Sequence, residues 1–216
     1  MGDGEDKAAR PILIAGPTAS GKSALALALA GRLGGMVVNA DSQQVYADWR
    51  VLTARPGPED EARAPHRLFG HLGLEEAWSA GRWLRALAPV LAEARRTGLR
   101  PVVVGGTGLY FTALTEGLAE IPEVPAEVRA AGEAALERLG LAAFAARLAA
   151  RDPDTAAQLD LANPMRVLRA WEVLEATGRG LAAWRRGRTT PLLPLGQTVP
   201  LLLVPERGWL HARCEA

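Results

Sequence analysis

The sequence predicts an α/β protein whose core is a parallel sheet flanked by helices and interrupted by an all-helical insertion. Three features indicate this fold class. Short apolar runs alternate with helix-like segments as far as residue 117, residues 118–162 contain no strand-like run, and a further apolar run follows at 198–204. Alternating strands and helices favour a parallel sheet covered on both faces. We therefore expect a core at 1–117, a helical insertion at 118–162 and a return to the core at 163–216.

The individual elements follow from hydrophobic patterning and from the positions of glycine and proline. Short uninterrupted apolar runs are typical of buried strands, whereas Ala- and Leu-rich segments that end at glycine are typical of helices. After a loose tail at 1–10, the core elements are predicted at 11–15 (strand), 23–32 (helix), 36–39 (strand), 84–96 (helix) and 101–104 (strand), with a helix after Gly106. Further helices are predicted at 126–139, 141–150, 153–159 and 165–176, before a core strand at 198–204 and a last helix from Glu206.

Composition excludes several classes of protein. With 216 residues, 49% of them hydrophobic and 23% charged, the chain is close to a soluble globular average. No apolar run approaches the length of a transmembrane helix, and the polar N-terminus lacks the apolar segment of a secretory signal. The single cysteine, Cys214, excludes an internal disulfide and a multi-cysteine zinc site. We therefore expect a cytoplasmic protein without a membrane partner.

The charge balance restricts any nucleic-acid partner to a local basic patch. The formal net charge is +1, so no global field attracts a polyanion. Residues 163–188, however, contain six arginines and two glutamates, a local excess of four positive charges. That region is the predicted position of such a patch.

A phosphate-binding loop is the most specific motif in the chain. It fits the pattern G-x-x-x-x-G-K-[ST], follows a predicted strand and opens a predicted helix, which is the context that the motif requires. Its glycines let backbone N–H groups point at phosphate oxygens, Lys22 reaches the outer phosphates and the Ser23 hydroxyl can ligate Mg²⁺. The predicted diphosphate-binding residues are Gly16, Pro17, Thr18, Ala19, Ser20, Gly21, Lys22 and Ser23. We therefore expect a core similar to that of P-loop NTPases, with a bound di- or triphosphate.

Two polar segments follow the second and third predicted strands, at the edge where doubly wound sheets bind ligands. Asp41 in the first segment is a candidate general base or metal ligand, although a helix N-cap is an equally good interpretation. Ser42, Gln43 and Gln44 offer hydrogen-bond donors and acceptors for the edge of a nucleobase. In the second segment, Thr107 provides another hydroxyl beside the phosphate loop within a glycine-rich turn.

Together with three further motifs, these segments resemble the tRNA dimethylallyltransferase family, also called tRNA isopentenyltransferases. The motifs are GPTASGKS, DSQQVY, PHRL, VVVGGTGLY, NPMRVLRAWEV and PERGWLHAR, in that order. The similarity covers about residues 11–216. The order and spacing of several motifs make it far more specific than a phosphate loop alone.

The resemblance implies transfer of a dimethylallyl group from dimethylallyl diphosphate to N6 of adenosine 37 in tRNAs that read codons beginning with U. It also implies a phosphate loop that holds a diphosphate rather than ATP, and a tRNA that is modified next to its anticodon. We expect a magnesium ion at the phosphate loop and a monomer that contacts the anticodon arm. Asp41 would be the general base, and Thr18 and Thr107 would contact the reacting groups. Lys22 would act with Asp41 and Thr107 as a catalytic residue. The residues expected at the tRNA are Asp41, Ser42, Gln43, Gln44, Thr107, Arg129, Asn163, Pro164, Met165, Arg166 and Val167.

Some positions depart from the family pattern. Gln43 stands where the family has Met, and Trp171 stands where the family has Leu. We expect the Trp171 side chain to pack against other residues rather than stack on RNA. Family members continue beyond the position of Ala216 and place a further arginine over the diphosphate directly after it. We therefore expect slower transfer by this chain than by an extended one, unless Arg207 or Arg213 fills that role.

Two other functions remain open from the residues alone. A small-molecule kinase shares the phosphate-loop core, and the arginine-rich tract at 185–188 could imitate its lid, but no acceptor motif of such kinases is present. A tRNA- or nucleotide-binding module without catalysis is the non-enzymatic alternative. Uptake of a labelled dimethylallyl group into tRNA, tested against ATP and small acceptors, separates the three.

Overall fold

The described chain forms an α/β unit and a helical unit. In the computed structural model, which describes residues 10–187 and 189–215, the α/β unit contains the chain up to Gly117 and from Pro191 onward, and the helical unit contains Leu118–Thr190. The first nine residues of the predicted tail and Arg188 lie outside the described residues. The sequence placed the end of the helical insertion at residue 162. The helical unit extends further because the helix after Asn163 packs in that unit's own core.

Within the described residues, five strands, ten α-helices and one 3-10 helix form these units. In chain order they are β1 (Ile12–Ala15), α1 (Lys22–Leu33), β2 (Gly35–Asn39), α2 (Pro58–Glu61), β3 (His66–Arg67), α3 (Ala80–Thr97), β4 (Arg100–Gly105), α4 (Gly108–Glu116), α5 (Ala126–Leu139), α6 (Leu141–Arg151), α7 (Pro153–Ala156), α8 (Pro164–Thr177), α9 (Leu181–Arg185), the 3-10 helix (Leu195–Gln197), β5 (Val199–Leu202) and α10 (Arg207–Glu215). No helix in this part of the chain is long and apolar enough to cross a membrane.

The five strands form one parallel sheet in the order β3-β2-β4-β1-β5. Successive side chains of a strand point to opposite faces of the sheet. Leu13 packs on one face with residues of α3, whereas Ile12 and Ile14 pack on the other face with residues of α1. Burial on both faces explains why the central strands appear in the sequence as continuous apolar runs. The predicted fold class, a parallel sheet flanked by helices, is confirmed.

The two outer strands differ from their predictions. The C-terminal run was expected to be a core strand, but β5 lies at the edge of the sheet beside β1, and Leu202 is 72% exposed. An apolar run alone does not distinguish a central strand from an edge strand, because that depends on which strands pair with it. At the opposite edge, β3 was not predicted, since its two residues, His66 and Arg67, carry no strand pattern.

The helical unit has a hydrophobic core of its own. Phe144 and Leu148 of α6 pack with Val167 of α8 in this core. Trp171 is partly buried against it, with its ring centroid 5.7 Å from that of Phe144, so it packs in the interior as predicted. In the same unit, α7 ends at Ala156, before its predicted end at 159, and α9 was not predicted.

Candidate active site

The phosphate loop joins β1 to α1 at the carboxyl edge of the sheet. β1 ends at Ala15 and α1 begins at Lys22, so residues 16–21 form the turn between them. Gly21 and Ala19 adopt left-handed backbone conformations, with φ of 85° and 64°, and they curl the loop around the start of the helix. The first turn of α1 has no side-chain cap and no acidic residue. Its backbone N–H groups therefore face a potential anion, with the positive end of the helix dipole behind them.

Lys22 lies back over this loop. Its Nζ donates a hydrogen bond to the Pro17 carbonyl oxygen at 3.1 Å. Burial lowers the pKa of Lys22 below its ordinary value of 10.5, and the Asp41 carboxylate opposes part of this effect by raising that pKa. A partly buried ammonium group gains from an anion, because the anion replaces the solvation that burial removed. The electrostatic interaction between Lys22 and Asp41 also shows that the Asp41 segment lies at the same edge of the sheet as the phosphate loop.

Asp41 is held in a turn. Asn39, fully buried at the end of β2, accepts a hydrogen bond from the Asp41 N–H at 2.8 Å. The Asn39 side-chain amide donates to the carbonyl oxygens of Asp41 and Leu68 at 2.9 and 3.0 Å. Oδ1 of Asp41 then accepts from the Gln43 N–H at 2.9 Å. Because bends and turns, not a helix, follow Asp41, the helix N-cap interpretation is wrong.

Thr107 links the two polar segments. Its Oγ1 accepts a hydrogen bond from the Ser42 N–H at 2.9 Å and donates one to Ser42 Oγ at 3.3 Å. The Thr107 N–H donates to the Ala40 carbonyl oxygen at 3.3 Å. Gly105 permits this close approach, because a Cβ there would lie only 2.1 Å from the carbonyl carbon of Ala40.

The next glycine, Gly106, lies between the acidic turn and the phosphate loop. A Cβ at this position would be 3.4 Å from Oδ2 of Asp41 and 3.6 Å from the Gly16 carbonyl oxygen. The structure thus brings together the phosphate loop, Lys22, Asp41 and Thr107, all of which the sequence analysis selected.

A buried aromatic pair supports the acidic turn. Trp83 of α3 donates from Nε1 to the Asn39 carbonyl oxygen at 2.8 Å. Its ring is stacked on that of Tyr110, with centroids 4.5 Å apart and planes inclined by 15°. Burial raises the pKa of Tyr110 to about 12, so its hydroxyl stays protonated at neutral pH. The sequence analysis missed Asn39 and Trp83, since their roles depend on contacts between distant segments.

The two glutamines after Ser42 have different surroundings. Gln43 is exposed. Nε2 of Gln44 donates to the carbonyl oxygens of Thr53 and Ala54 at 2.8 and 3.2 Å. The amide nitrogen of Gln44 therefore holds the loop at 49–55, and its carbonyl oxygen is the group that remains for a base edge.

The other predicted tRNA-binding residues belong to the helical unit. Asn163 caps α8 by accepting a hydrogen bond from the Arg166 N–H at 3.2 Å, and Pro164 is the first residue of that helix. Arg166 is exposed and Met165 is 70% exposed. Val167, by contrast, is fully buried, so its side chain stabilises the helical core and is not on the surface. Arg129 lies on α5, with its side chain 55% exposed.

The last helix contributes one contact to the phosphate loop. Nε of Arg213 donates to the Ala19 carbonyl oxygen at 3.2 Å. The guanidinium lies over the ring of Trp209, 4.8 Å from its centroid. Of the two arginines that the sequence analysis considered on this helix, Arg213 is thus seen at the loop.

Family models and known proteins that match this sequence identify its family. A family model described as IPP transferase matches residues 44–216, and one described as isopentenyl transferase matches residues 10–69. The chain belongs to the IPP transferase family. It is 58% identical to proteins named tRNA dimethylallyltransferase from Cereibacter sphaeroides, over 96% of this chain and 64% of that protein, and from Dinoroseobacter shibae, over 94% and 67%. The chain therefore spans about two thirds of the length of these relatives.

Solved structures in the IPP transferase family share the fold. A eukaryotic dimethylallyltransferase that acts on tRNA matches with a TM-score of 0.76 at 27% identity, over 94% of this chain and 50% of that one. A full-length tRNA isopentenylpyrophosphate transferase from Bacillus halodurans matches with a TM-score of 0.55 at 31% identity, over 95% and 63%. The suspected family and its P-loop-type core are confirmed.

Proposed function

We propose that this chain transfers a dimethylallyl group from dimethylallyl diphosphate to N6 of adenosine 37 in tRNAs that read codons beginning with U, giving N6-dimethylallyladenosine. The observation that carries the proposal is the meeting of an anion-binding loop with the Asp41 carboxylate at one edge of the sheet. The relatives named tRNA dimethylallyltransferase support this choice of donor and acceptor.

The phosphate loop would hold the diphosphate of the donor. The C–O bond of an allylic diphosphate breaks readily because the resulting cation is delocalised, so the main catalytic need is to stabilise the departing diphosphate. The N–H groups at the start of α1 and the Lys22 ammonium meet that need. Thr18, exposed in the loop, adds a hydroxyl near the reacting carbon.

Asp41 would take the proton of the acceptor amine. The N6 lone pair forms the new bond to C1 of the dimethylallyl group, while the electron pair of the C1–O bond leaves with the diphosphate. The N6 proton passes to the Asp41 carboxylate, which is held in place by Asn39 and by the turn to Gln43. A positioned base of this kind typically contributes about 10²–10⁴-fold to a rate. Thr107 fixes the neighbouring Ser42 and completes the wall of the site.

Magnesium fits the same loop. Mg²⁺ is usually bound through one or two protein oxygens together with substrate phosphates and water. Ser23 is exposed and directly follows Lys22, so its hydroxyl is a suitable ligand, whereas the described residues contain no cluster of three or more His, Cys, Asp or Glu side chains. A bound ion would neutralise part of the charge on the departing diphosphate.

The tRNA would bind through the anticodon arm, with adenosine 37 extruded from its stack to reach Asp41. Ser42, Gln43 and the carbonyl oxygen of Gln44 are the groups next to Asp41 that would meet its edge. Exposed arginines of the helical unit, Arg129 and Arg166 among them, would contact phosphates. We further propose that the protein acts as a monomer in the cytoplasm, which size-exclusion chromatography and fractionation would test.

The proposal is tested with labelled dimethylallyl diphosphate and an anticodon stem-loop RNA that contains adenosine 36, 37 and 38. We expect label in this RNA and none in a matched RNA with inosine at position 37, which lacks the N6 amine. In parallel, ATP labelled in its terminal phosphate is offered with small acceptors. Phosphate transfer from ATP without label uptake by the RNA would replace the proposal with a kinase.

A further inference from the structure

Helices α5 and α8 of the helical unit cross at a glycine. A Cβ at Gly132 of α5 would lie 2.8 Å from Cδ1 of Leu168 and 2.8 Å from the ring of Trp171, both on α8. Only glycine allows the two helices to approach this closely without displacing those side chains. Arg129 lies one turn before Gly132 on the same helix, so this close approach brings its guanidinium to the surface of α8.

At this crossing a buried carboxylate meets two arginines. Glu172 of α8 is only 5% exposed. Its Oε1 lies 3.6 Å from Nε of Arg129, and its Oε2 accepts a hydrogen bond from Nη1 of Arg169 at 3.2 Å. A carboxylate that has lost its water must be paired with cations and donors, and here one carboxylate serves two cations.

The two arginines remain partly in solvent. The side chain of Arg129 is 55% exposed and that of Arg169 is 44% exposed, against 7% for Glu172. Each guanidinium carries five N–H donors in a fixed plane, and the pairing with Glu172 uses only the part that points inward. The three groups together carry one net positive charge.

Other ion pairs of the helical unit lack this arrangement. Arg151 pairs with Glu175, and Nη1 of Arg186 lies 3.8 Å from Oδ2 of Asp154. Each is one cation with one anion, so neither leaves an excess charge. Glu172, by contrast, lies within 4 Å of two arginines.

We propose that Glu172 is a positioning residue that holds Arg129 and Arg169 as a fixed pair of cations for the tRNA phosphate backbone. This inference rests on the proposed function. Arginine side chains that are fixed before binding lose less conformational freedom when they contact a phosphate. Two planar guanidinium groups held by one carboxylate also present a defined geometry, which a freely rotating pair does not.

Replacing Glu172 by glutamine tests the inference, because charge and position predict opposite results. Glutamine removes a negative charge next to a polyanion site, so charge alone predicts tighter binding of the RNA. Loss of the fixed arginine pair predicts weaker binding, by about tenfold. The measurement is the dissociation constant of the 216-residue protein for the anticodon stem-loop RNA over a series of salt concentrations.

The matched control is Glu133→Gln. Glu133 is exposed and lies one turn after Arg129 on α5, so its loss is expected to leave RNA binding unchanged or slightly tighter. Affinity for dimethylallyl diphosphate is expected to be unchanged in both variants, because the phosphate loop is in the other unit.

A second variant covers the case in which Glu172→Gln does not fold. Arg129→Lys keeps the positive charge at an exposed position but loses the planar, multidentate contact. We expect weaker RNA binding with little change in the salt dependence. RNA binding by Glu172→Gln that equals or exceeds the parent's would overturn the positioning role while the proposed function stands. If Glu172→Gln does not fold, the same result for Arg129→Lys would overturn it. An unmodified protein that binds no RNA would overturn both.

Discussion

Substituting alanine for Gly105 should damage the fold and the site together. Gly105 is the last residue of β4, and a Cβ there would lie 2.1 Å from both the carbonyl carbon and the carbonyl oxygen of Ala40. Because these atoms are backbone, no rotamer change relieves the clash, and β2 must move away from β4. Overpacking of a core usually costs about 1–3 kcal/mol. We expect the upper end, about 3 kcal/mol, since the clashing atoms are main-chain atoms of Ala40, directly after β2.

The assay is thermal and urea unfolding of the 216-residue protein. A loss of about 3 kcal/mol corresponds to a fall of about 6–12 °C in Tm for a chain of this size. The separation of β2 from β4 should also break the hydrogen bond from the Ser42 N–H to Thr107, so transfer to RNA should fall even well below the Tm.

The matched control is Gly31→Ala. Gly31 lies inside α1, and a Cβ there meets no atom within 4 Å. Alanine is the better helix residue by about 0.8–1 kcal/mol, so this variant should be more stable than the parent. Equal stability of Gly105→Ala and the parent would refute the close contact between the two strands on which the site's geometry depends.

Three further predictions concern the phosphate loop. Lys22→Ala should abolish measurable binding of dimethylallyl diphosphate in a calorimetric titration, since the ammonium group meets the anion; unchanged affinity would contradict this. Burial lowers the pKa of Lys22, and its charged form is lost as pH rises through that pKa, so binding of dimethylallyl diphosphate should weaken at a lower pH than the ordinary pKa of 10.5 implies. In Asp41→Asn the carboxylate that raises this pKa is gone, so binding should weaken at a still lower pH. The same pH profile in both proteins would show that the two groups do not interact. Arg213→Leu should weaken diphosphate binding about three- to tenfold, because it removes the hydrogen bond to Ala19 that holds the loop, and an affinity equal to the parent's would mean that this contact is dispensable.

The core strands could be predicted because their buried apolar residues are consecutive in the sequence. Ile12, Leu13 and Ile14 are all buried, on alternate faces of the sheet, so an unbroken apolar run is the direct consequence of two covered faces. The same signal does not reveal the two edge strands as edges. β3 is too short for a pattern, and the position of β5 follows from its pairing with β1, which sequence periodicity does not encode.

The candidate site was predictable to the extent that it is local or follows from sheet geometry. The phosphate loop is a continuous motif, and its conformation depends on its own glycines. Asp41 and Thr107 are far apart in sequence, but both follow strands, and the ends of parallel strands meet at one edge. The supporting contacts of Asn39 and Trp83 were not predictable, since a buried amide and an aromatic ring on a helix have the same sequence appearance as ordinary core residues.

The boundary of the helical unit shows the same limit. Pro164 and the apolar face of α8 predict a helix there, but not which core the helix joins. Packing of Leu168 and Trp171 against Gly132 assigns α8 to the helical unit, and that contact links residues far apart in the chain. The pairing of Glu172 with Arg129 depends on the same crossing.

The most direct test of the central claim, that Asp41 and the phosphate loop serve one reaction, is the single-turnover rate of transfer in Asp41→Asn with both substrates bound. Asparagine keeps the shape of the side chain but cannot take the N6 proton. We predict that the variant binds dimethylallyl diphosphate and the anticodon stem-loop RNA with affinities close to those of the parent, while transfer is slower by about 10²–10⁴-fold. A rate within a few-fold of the parent's at full occupancy of both substrates would contradict the account and leave Asp41 with a structural role only.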